Sequence, residues 1–149
     1  NGGAMDTKHI LLADDNVNDV ELTLTALGKA NIVNPVDVVR DGVEALDYLL
    51  RRGKYAGRPD VNPVVVLLDI KMPRMTGLEL LEVIRKDPKL AMLPVVMLTS
   101  SRQEADLLSS YKNGANAFVV KPGEFADFSN AIRQLGIFWV LINETPPAA

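Results

Sequence analysis

Four stretches of this chain place reactive side chains directly after an apolar run. Asp14-Asp15 follow Ile10-Leu11-Leu12-Ala13, and Asp69 follows Val64-Val65-Val66-Leu67-Leu68. Thr99-Ser100-Ser101 follow Val95-Val96-Met97-Leu98, and Lys121-Pro122 follow Ala117-Phe118-Val119-Val120. Taken singly, each has an ordinary reading. Aspartates before a helix cap its free N–H groups, Thr99 is a strand-end hydroxyl, and Lys121 is a lysine whose stem lies along the surface. Asp69 is harder to dismiss, because a charge directly after five apolar residues is costly unless a cation compensates it. Brought together, three carboxylates repel one another and call for a divalent ion. Mg²⁺ favours oxygen ligands, keeps several waters and commonly binds a few carboxylates plus a phosphate oxygen. With that charge neutralised, one carboxylate can attack phosphorus, while Lys121 and Thr99 are the candidates to stabilise the developing negative charge.

The elements that must position these groups alternate along the chain. Ile10 to Ala13 reads as a strand, followed by a helix carrying Val20, Leu22, Leu24 and Leu27. Val36 to Val39 is the next strand, and Val43, Leu46, Leu49 and Leu50 form the stripe of a helix closing at Arg51-Arg52-Gly53. Val64 to Leu68 is apolar on consecutive residues, as a strand covered on both faces must be. A third helix is expected from Gly77 to about Asp87, a strand from Pro94 to Leu98, a helix from Gln103 to Asn113, a strand from Ala117 to Val120 and a last helix from about Glu124 to Asn143. Five βα units specify an open, doubly wound α/β fold with a five-stranded parallel sheet and helices on both faces. In such a sheet the ligand site lies beyond the carboxyl ends of the strands, where the strand order reverses. That rule gathers Asp14, Asp15, Asp69, Thr99 and Lys121 on one rim. His9, the sole histidine, precedes the first strand at the opposite end and reads as structural or merely exposed. The turn-rich connection from Lys54 to Pro63 reads as a solvated loop.

Composition narrows the classes further. With 149 residues, 48% of them hydrophobic, the chain suffices for one compact core. A net charge of -3 without a run of Lys or Arg gives no footprint for nucleic acid or an anionic membrane. The longest apolar run, Ile137 to Ile142, is far short of the roughly 20 residues that cross a bilayer. The absence of cysteine rules out disulfides and thiolate metal sites, and a cytoplasmic address fits best. Asn1-Gly2-Gly3-Ala4 looks like a cloning remnant before Met5, leaving 5–149 as a single domain with an extended C-terminal helix and tail.

These residues together resemble the receiver domains of bacterial response regulators. The resemblance rests on Asp14-Asp15, the Asp69-x-x-x-Pro73-x-x-x-Gly77 signature, Thr99-Ser100, Phe118 three residues before the lysine, and Lys121-Pro122. It implies a flavodoxin-like (βα)5 fold with strand order 2-1-3-4-5. It further implies that Asp69 is the phosphoacceptor for a histidine kinase or small phosphodonors. On that likeness Mg²⁺ is held by Asp14, Asp15, Asp69 and the backbone carbonyl of Lys71, and Lys121 pairs with the phosphoryl oxygens ahead of a cis bond to Pro122. Thr99 and Phe118 become the switch pair. Such a protein is a phosphoaccepting signalling switch that assists its own phosphoryl transfer and autodephosphorylation, and not an enzyme in the turnover sense. Two positions depart from the commonest pattern. Lys71 is a second cation beside the phosphorylation site, able to screen the phosphoryl group or to point to solvent. Gly123 follows the Lys-Pro pair where an apolar residue is common, loosening the start of the last helix.

A narrower likeness, to the single-domain regulators that partner cyanobacterial and bacterial phytochromes, rests on the Lys54–Pro63 insertion, Leu135-Gly136-Ile137-Phe138-Trp139 and Asn143-Glu144-Thr145-Pro146-Pro147. The last helix begins with Phe125, Phe128, Ile132 and Leu135 spaced to face a sheet, whereas 137–142 is apolar all round. A homodimer with Phe138 and Trp139 at its interface is the expectation, against the simpler reading that the run folds back on its own domain. Two other functions fit the architecture: a flavodoxin-like flavin carrier and a phosphorylation-independent interaction module. The first needs a hydroxyl- and glycine-rich phosphate loop where Asp14-Asp15-Asn16 stands; the second has no need of an intact acidic set with Lys121. A haloacid-dehalogenase-type phosphatase would need an aspartate where Lys71 stands, and no Walker loop is present.

Overall fold

The computed structural model describes residues 8–111 and 113–121. Five strands, β1 (Ile10–Ala13), β2 (Val36–Val39), β3 (Val65–Asp69), β4 (Val95–Thr99) and β5 (Ala117–Val120), form one sheet. Every neighbouring pair is parallel and the order is β2-β1-β3-β4-β5. The crossovers carry α1 (Val17–Lys29), α2 (Gly42–Leu50), α3 (Gly77–Lys86) and α4 (Arg102–Ser109).

Alternation along the buried strands divides the core into two layers. Leu11, Val66, Leu68 and Met97 pack with Ala45 and Leu49 of α2 and with Leu80, Leu81 and Ile84 of α3. Ile10, Leu12, Leu67, Val96 and Leu98 point to the other face, against Ala26 and Leu27 of α1. The central strands are therefore covered on both sides, which is why β3 and β4 are apolar on successive residues until their last positions. Those last positions are Asp69 and Thr99.

Several boundaries differ from the sequence expectation. On α1 the buried face includes Thr23 and Ala26, small residues outside the Val20-Leu22-Leu24-Leu27 stripe, because close packing on the sheet admits short side chains there. α2 stops at Leu50 with Arg51 in the left-handed region, ahead of the glycine. α4 ends at Ser109 and not at Asn113. The Ser110 hydroxyl takes the Leu107 carbonyl at 2.6 Å and the Asn113 amide takes the Leu108 carbonyl at 3.1 Å, so side chains satisfy the helix end early.

The connection after α2 is more than a solvated loop. Gly53–Tyr55 form a 3₁₀ turn, and the Tyr55 ring meets Tyr48 edge-on at 5.3 Å. The Arg58 guanidinium lies 4.0 Å from the Tyr48 ring centre and donates to the Tyr48 and Val61 carbonyls, both at 3.0 Å. The Tyr55 hydroxyl donates to Glu44 at 2.6 Å. Burial raises the Glu44 pKa, but Tyr55, the Arg40 N–H and Lys54 together hold it down to about 2. His9 is structural, as expected: Nδ1 lies 2.8 Å from Asp37 Oδ2, the oxygen to which the Tyr48 hydroxyl also donates.

Among the described residues no helix is long and apolar enough to cross a membrane. Residues 1–4, expected to be a cloning remnant, the peptide bond to Pro122, Gly123, the helix expected from Glu124 to Asn143 with Phe138 and Trp139, and the tail lie outside the described residues.

Candidate phosphoryl and metal site

Parallel register delivers the reactive groups to one rim. Ala13 pairs with Leu68 and with Val39, Asp69 with Leu98, and Thr99 with Val120, so Asp14, Asp69, Thr99 and Lys121 all emerge at the carboxyl ends of their strands. Asp14 is fully buried, and Asp69, Thr99 and Lys121 are 6%, 1% and 7% exposed. Asp15 is exposed at the rim. The Lys121 N–H donates to the Thr99 carbonyl at 2.5 Å, tying the two residues' backbones together.

Lys121 is the hub. Its Nζ lies 2.8 Å from Asp14 Oδ2, 3.1 Å from Asp69 Oδ1 and 3.0 Å from Asp19 Oδ2. The approach to Asp14 is an ion-pair contact outside hydrogen-bond angles, which leaves Asp14 Oδ2 a buried oxygen without a hydrogen bond. Asp14 Oδ1 accepts the Asn16 N–H at 3.0 Å. Burial pulls the Lys121 pKa down, but its contacts with Asp14 and Asp19 and the charges of Asp14 and Asp69 outweigh that and raise it. The ammonium is a fixed positive charge. Asp69 goes the other way for an acid: burial and the charge of Asp14 push it up to about 6, against the pull of Lys121 and the Lys71 N–H.

These features fit a divalent cation. One carboxylate oxygen from each of Asp14, Asp15 and Asp69 lies within 4.8 Å of the others. Asp14 Oδ2 has no hydrogen bond beside its ion pair with Lys121, and the carboxylates of Asp14, Asp15, Asp19 and Asp69 share the rim with that one ammonium. The donors are all hard oxygens, as Mg²⁺ or Mn²⁺ require.

The Asp69-to-Gly77 spacing acquires a physical reason. A Cβ on Gly77 would sit 2.2 Å from the Asp69 carbonyl oxygen, and the Gly77 N–H donates to the Ile70 carbonyl at 2.8 Å. Only glycine lets α3 start this close to the strand end, where Thr76 and Glu79 then close a capping box. The Lys71 side chain is exposed, in keeping with the solvent-facing alternative. Phe118 is half-buried on β5, packed against the α2–α3 layer of the core and in register with Met97.

Two residues of the site escaped sequence reasoning. Asp19, in the first turn of α1, donates no motif but supplies a third carboxylate to Lys121. Glu104, in the first turn of α4, accepts the Thr99 hydroxyl at 2.5 Å. Acids in a first helical turn are ordinary partners of the helix dipole, so neither position stands out.

Comparison with known proteins agrees with this geometry. The profile of the response regulator receiver domain matches residues 10–133. The response regulator Rcp1 of Synechocystis sp. is 34% identical over 142 residues, covering 95% of each chain. A solved structure of the Mn²⁺-bound form of Rcp1 superposes with a TM-score of 0.78, covering 95% of this chain and 99% of that one at 33% identity. The bacteriophytochrome response regulator RtBRR is 53% identical, with a TM-score of 0.80 over 94% of this chain and 84% of its own. The sheet order, the acidic rim and these matches place the chain in the response regulator receiver domain family, homologous to the phytochrome response regulators.

Proposed function

We propose that Asp69 accepts a phosphoryl group from a phosphohistidine of a phytochrome-type histidine kinase, and that the resulting acyl phosphate switches protein–protein contacts. The observation that carries the proposal is the position of Asp69, at the strand end 3.1 Å from Lys121 and within reach of Asp14 and Asp15. In the transfer, a carboxylate oxygen of Asp69 forms a bond to phosphorus as the phosphorus–nitrogen bond breaks, and the leaving imidazole keeps the electron pair. Lys121 turns from the Asp69 oxygen to the phosphoryl oxygens, where its fixed charge offsets the charge that arrives. Thr99 supplies a hydrogen bond to the same group, and Phe118 follows it. Asp14, Asp15, Asp69 and the Lys71 carbonyl would hold Mg²⁺, which supplies neutralisation of the carboxylates and the phosphoryl oxygens.

The phytochrome-type partner rests on the names borne by RtBRR and by the other regulators of this group. The cytoplasm, where such a kinase domain meets its substrate, is the address that goes with it. A homodimer through Phe138 and Trp139 belongs to the same reading, and changing both residues to polar ones should give monomers in sedimentation. The test of the main proposal is incubation with acetyl phosphate and Mg²⁺, followed by intact-mass measurement. One phosphoryl group per chain, abolished by a chelator, is the expected result; no uptake under conditions that load a known receiver contradicts it.

A further inference from the structure

The Thr99 hydroxyl is committed to α4. It donates to Glu104 Oε1 at 2.5 Å, accepts the Ser101 N–H at 3.2 Å, and belongs to a side chain only 1% exposed. Ser101 is the N-cap of α4, and its Oγ accepts the Glu104 N–H at 3.1 Å. Ser101-x-x-Glu104 is the pattern of a capping box, in which the glutamate carboxylate returns to the N-cap N–H. α3 completes that arrangement: the Thr76 N–H donates to Glu79 Oε1 at 2.9 Å and the Glu79 N–H to Thr76 Oγ1 at 3.2 Å. At α4 only half of the box is closed. The Thr99 hydroxyl stands between its two members, accepting the N–H in place of the carboxylate and donating to the carboxylate in place of the N–H.

We propose that Glu104 is a positioning residue for Thr99, a latch that holds the hydroxyl on α4 until a phosphoryl group on Asp69 competes for it. The proposal rests on the phosphoacceptor reading of Asp69. Its physical basis is an exchange in which no polar group is orphaned. When Thr99 leaves, the Ser101 N–H loses an acceptor and the Glu104 carboxylate loses a donor, and the two satisfy each other by closing the box. What is given up is a short O–H to carboxylate bond from a hydroxyl 1% exposed, together with the Ser101 N–H bond to that hydroxyl. What is gained is one N–H to carboxylate bond, also charge-assisted but at a half-buried helix start. Two hydrogen bonds, one of them better shielded from water, are exchanged for one, so the latch stays closed without a phosphoryl group. The exchange also transmits the state of Asp69 to the first turn of α4.

The test uses beryllofluoride with Mg²⁺ as the phosphoryl mimic, titrated by ¹⁹F NMR into the full chain and into Glu104→Gln, Thr99→Val and the double variant. Glutamine still closes the box but offers a neutral acceptor to both donors, and the better shielded Thr99 O–H bond loses the more. Glu104→Gln should bind the mimic about three- to fivefold more tightly, because the shielded O–H bond of the latch loses more than the N–H bond of the box when their shared acceptor becomes neutral. In the Thr99→Val background the same change should alter binding less than about twofold, because the bond it weakens is gone. Equal gains in both backgrounds would mean that only a negative charge had been removed, and would overturn the latch. So would an unchanged or weakened affinity in Glu104→Gln. A parent chain that takes no beryllofluoride contradicts the phosphoacceptor reading itself, a different result from either.

Discussion

Asp69 carries its charge at a buried strand end beside Asp14, and its carboxyl is pushed up from an ordinary 3.8 to about 6. An acid whose folded pKa is raised binds protons more tightly in the folded chain. Its contribution is therefore fully present below about pH 4 and is lost as pH rises through about 6. Asp69→Asn removes that penalty. In a chelator the variant should match its parent near pH 4 and exceed it by about 1–3 kcal/mol at pH 7, read from urea unfolding. Mg²⁺ should shrink the difference, because the parent offers it one more carboxylate than the variant does. A gap that does not depend on pH would contradict the account. At this scale the site was legible where a reactive residue directly follows an apolar run, as Asp14, Asp69, Thr99 and Lys121 do. Asp19 and Glu104 were not, because a first-turn acid looks the same whether it faces solvent or a buried partner.

At the scale of elements, the site depends on how closely helices start against strand ends. Gly77→Ala puts a methyl group 2.2 Å from the Asp69 carbonyl oxygen, a backbone atom that cannot turn aside. The variant should lose about 2 kcal/mol or more, since α3 must shift away from the sheet. It should also take up phosphoryl groups more slowly, since Asp69 moves with its carbonyl. Unchanged stability in urea would show that α3 has more freedom than its contacts imply. Strand identities and the alternation of elements were legible from hydrophobic runs, since buried parallel strands leave little else possible. Helix ends were less so. α4 closes at Ser109 because Ser110 and Asn113 take its carbonyls, a decision made by side-chain hydrogen bonds that periodicity does not register. The docking of Arg58 on Tyr48 escaped notice for the same reason: a turn-rich segment announces its surface location and not its contacts.

For the whole molecule, the acidic rim makes folding and metal binding one problem. Any ion that binds the folded chain alone stabilises it, by about 2.7 kcal/mol at a hundredfold excess over its dissociation constant. Mg²⁺ should therefore raise the unfolding temperature, and an Asp14→Ala/Asp15→Ala double variant should lose that response while keeping the fold. A double variant that responds like its parent would place the metal elsewhere. The strand order is a further case of partial legibility: alternation gave a parallel sheet, but 2-1-3-4-5 came from family likeness and then agreed with the observed pairing. Phosphoryl transfer to one carboxylate, Asp69, is the proposed purpose of this architecture. Its most direct measurement is reductive trapping: the chain is loaded with acetyl phosphate and Mg²⁺, treated with borohydride and digested, and the reduced residue is located by peptide mass spectrometry. Homoserine is expected at position 69, and none in a sample loaded without Mg²⁺. Homoserine at Asp14, Asp15 or any other acid, with Asp69 intact, would contradict it.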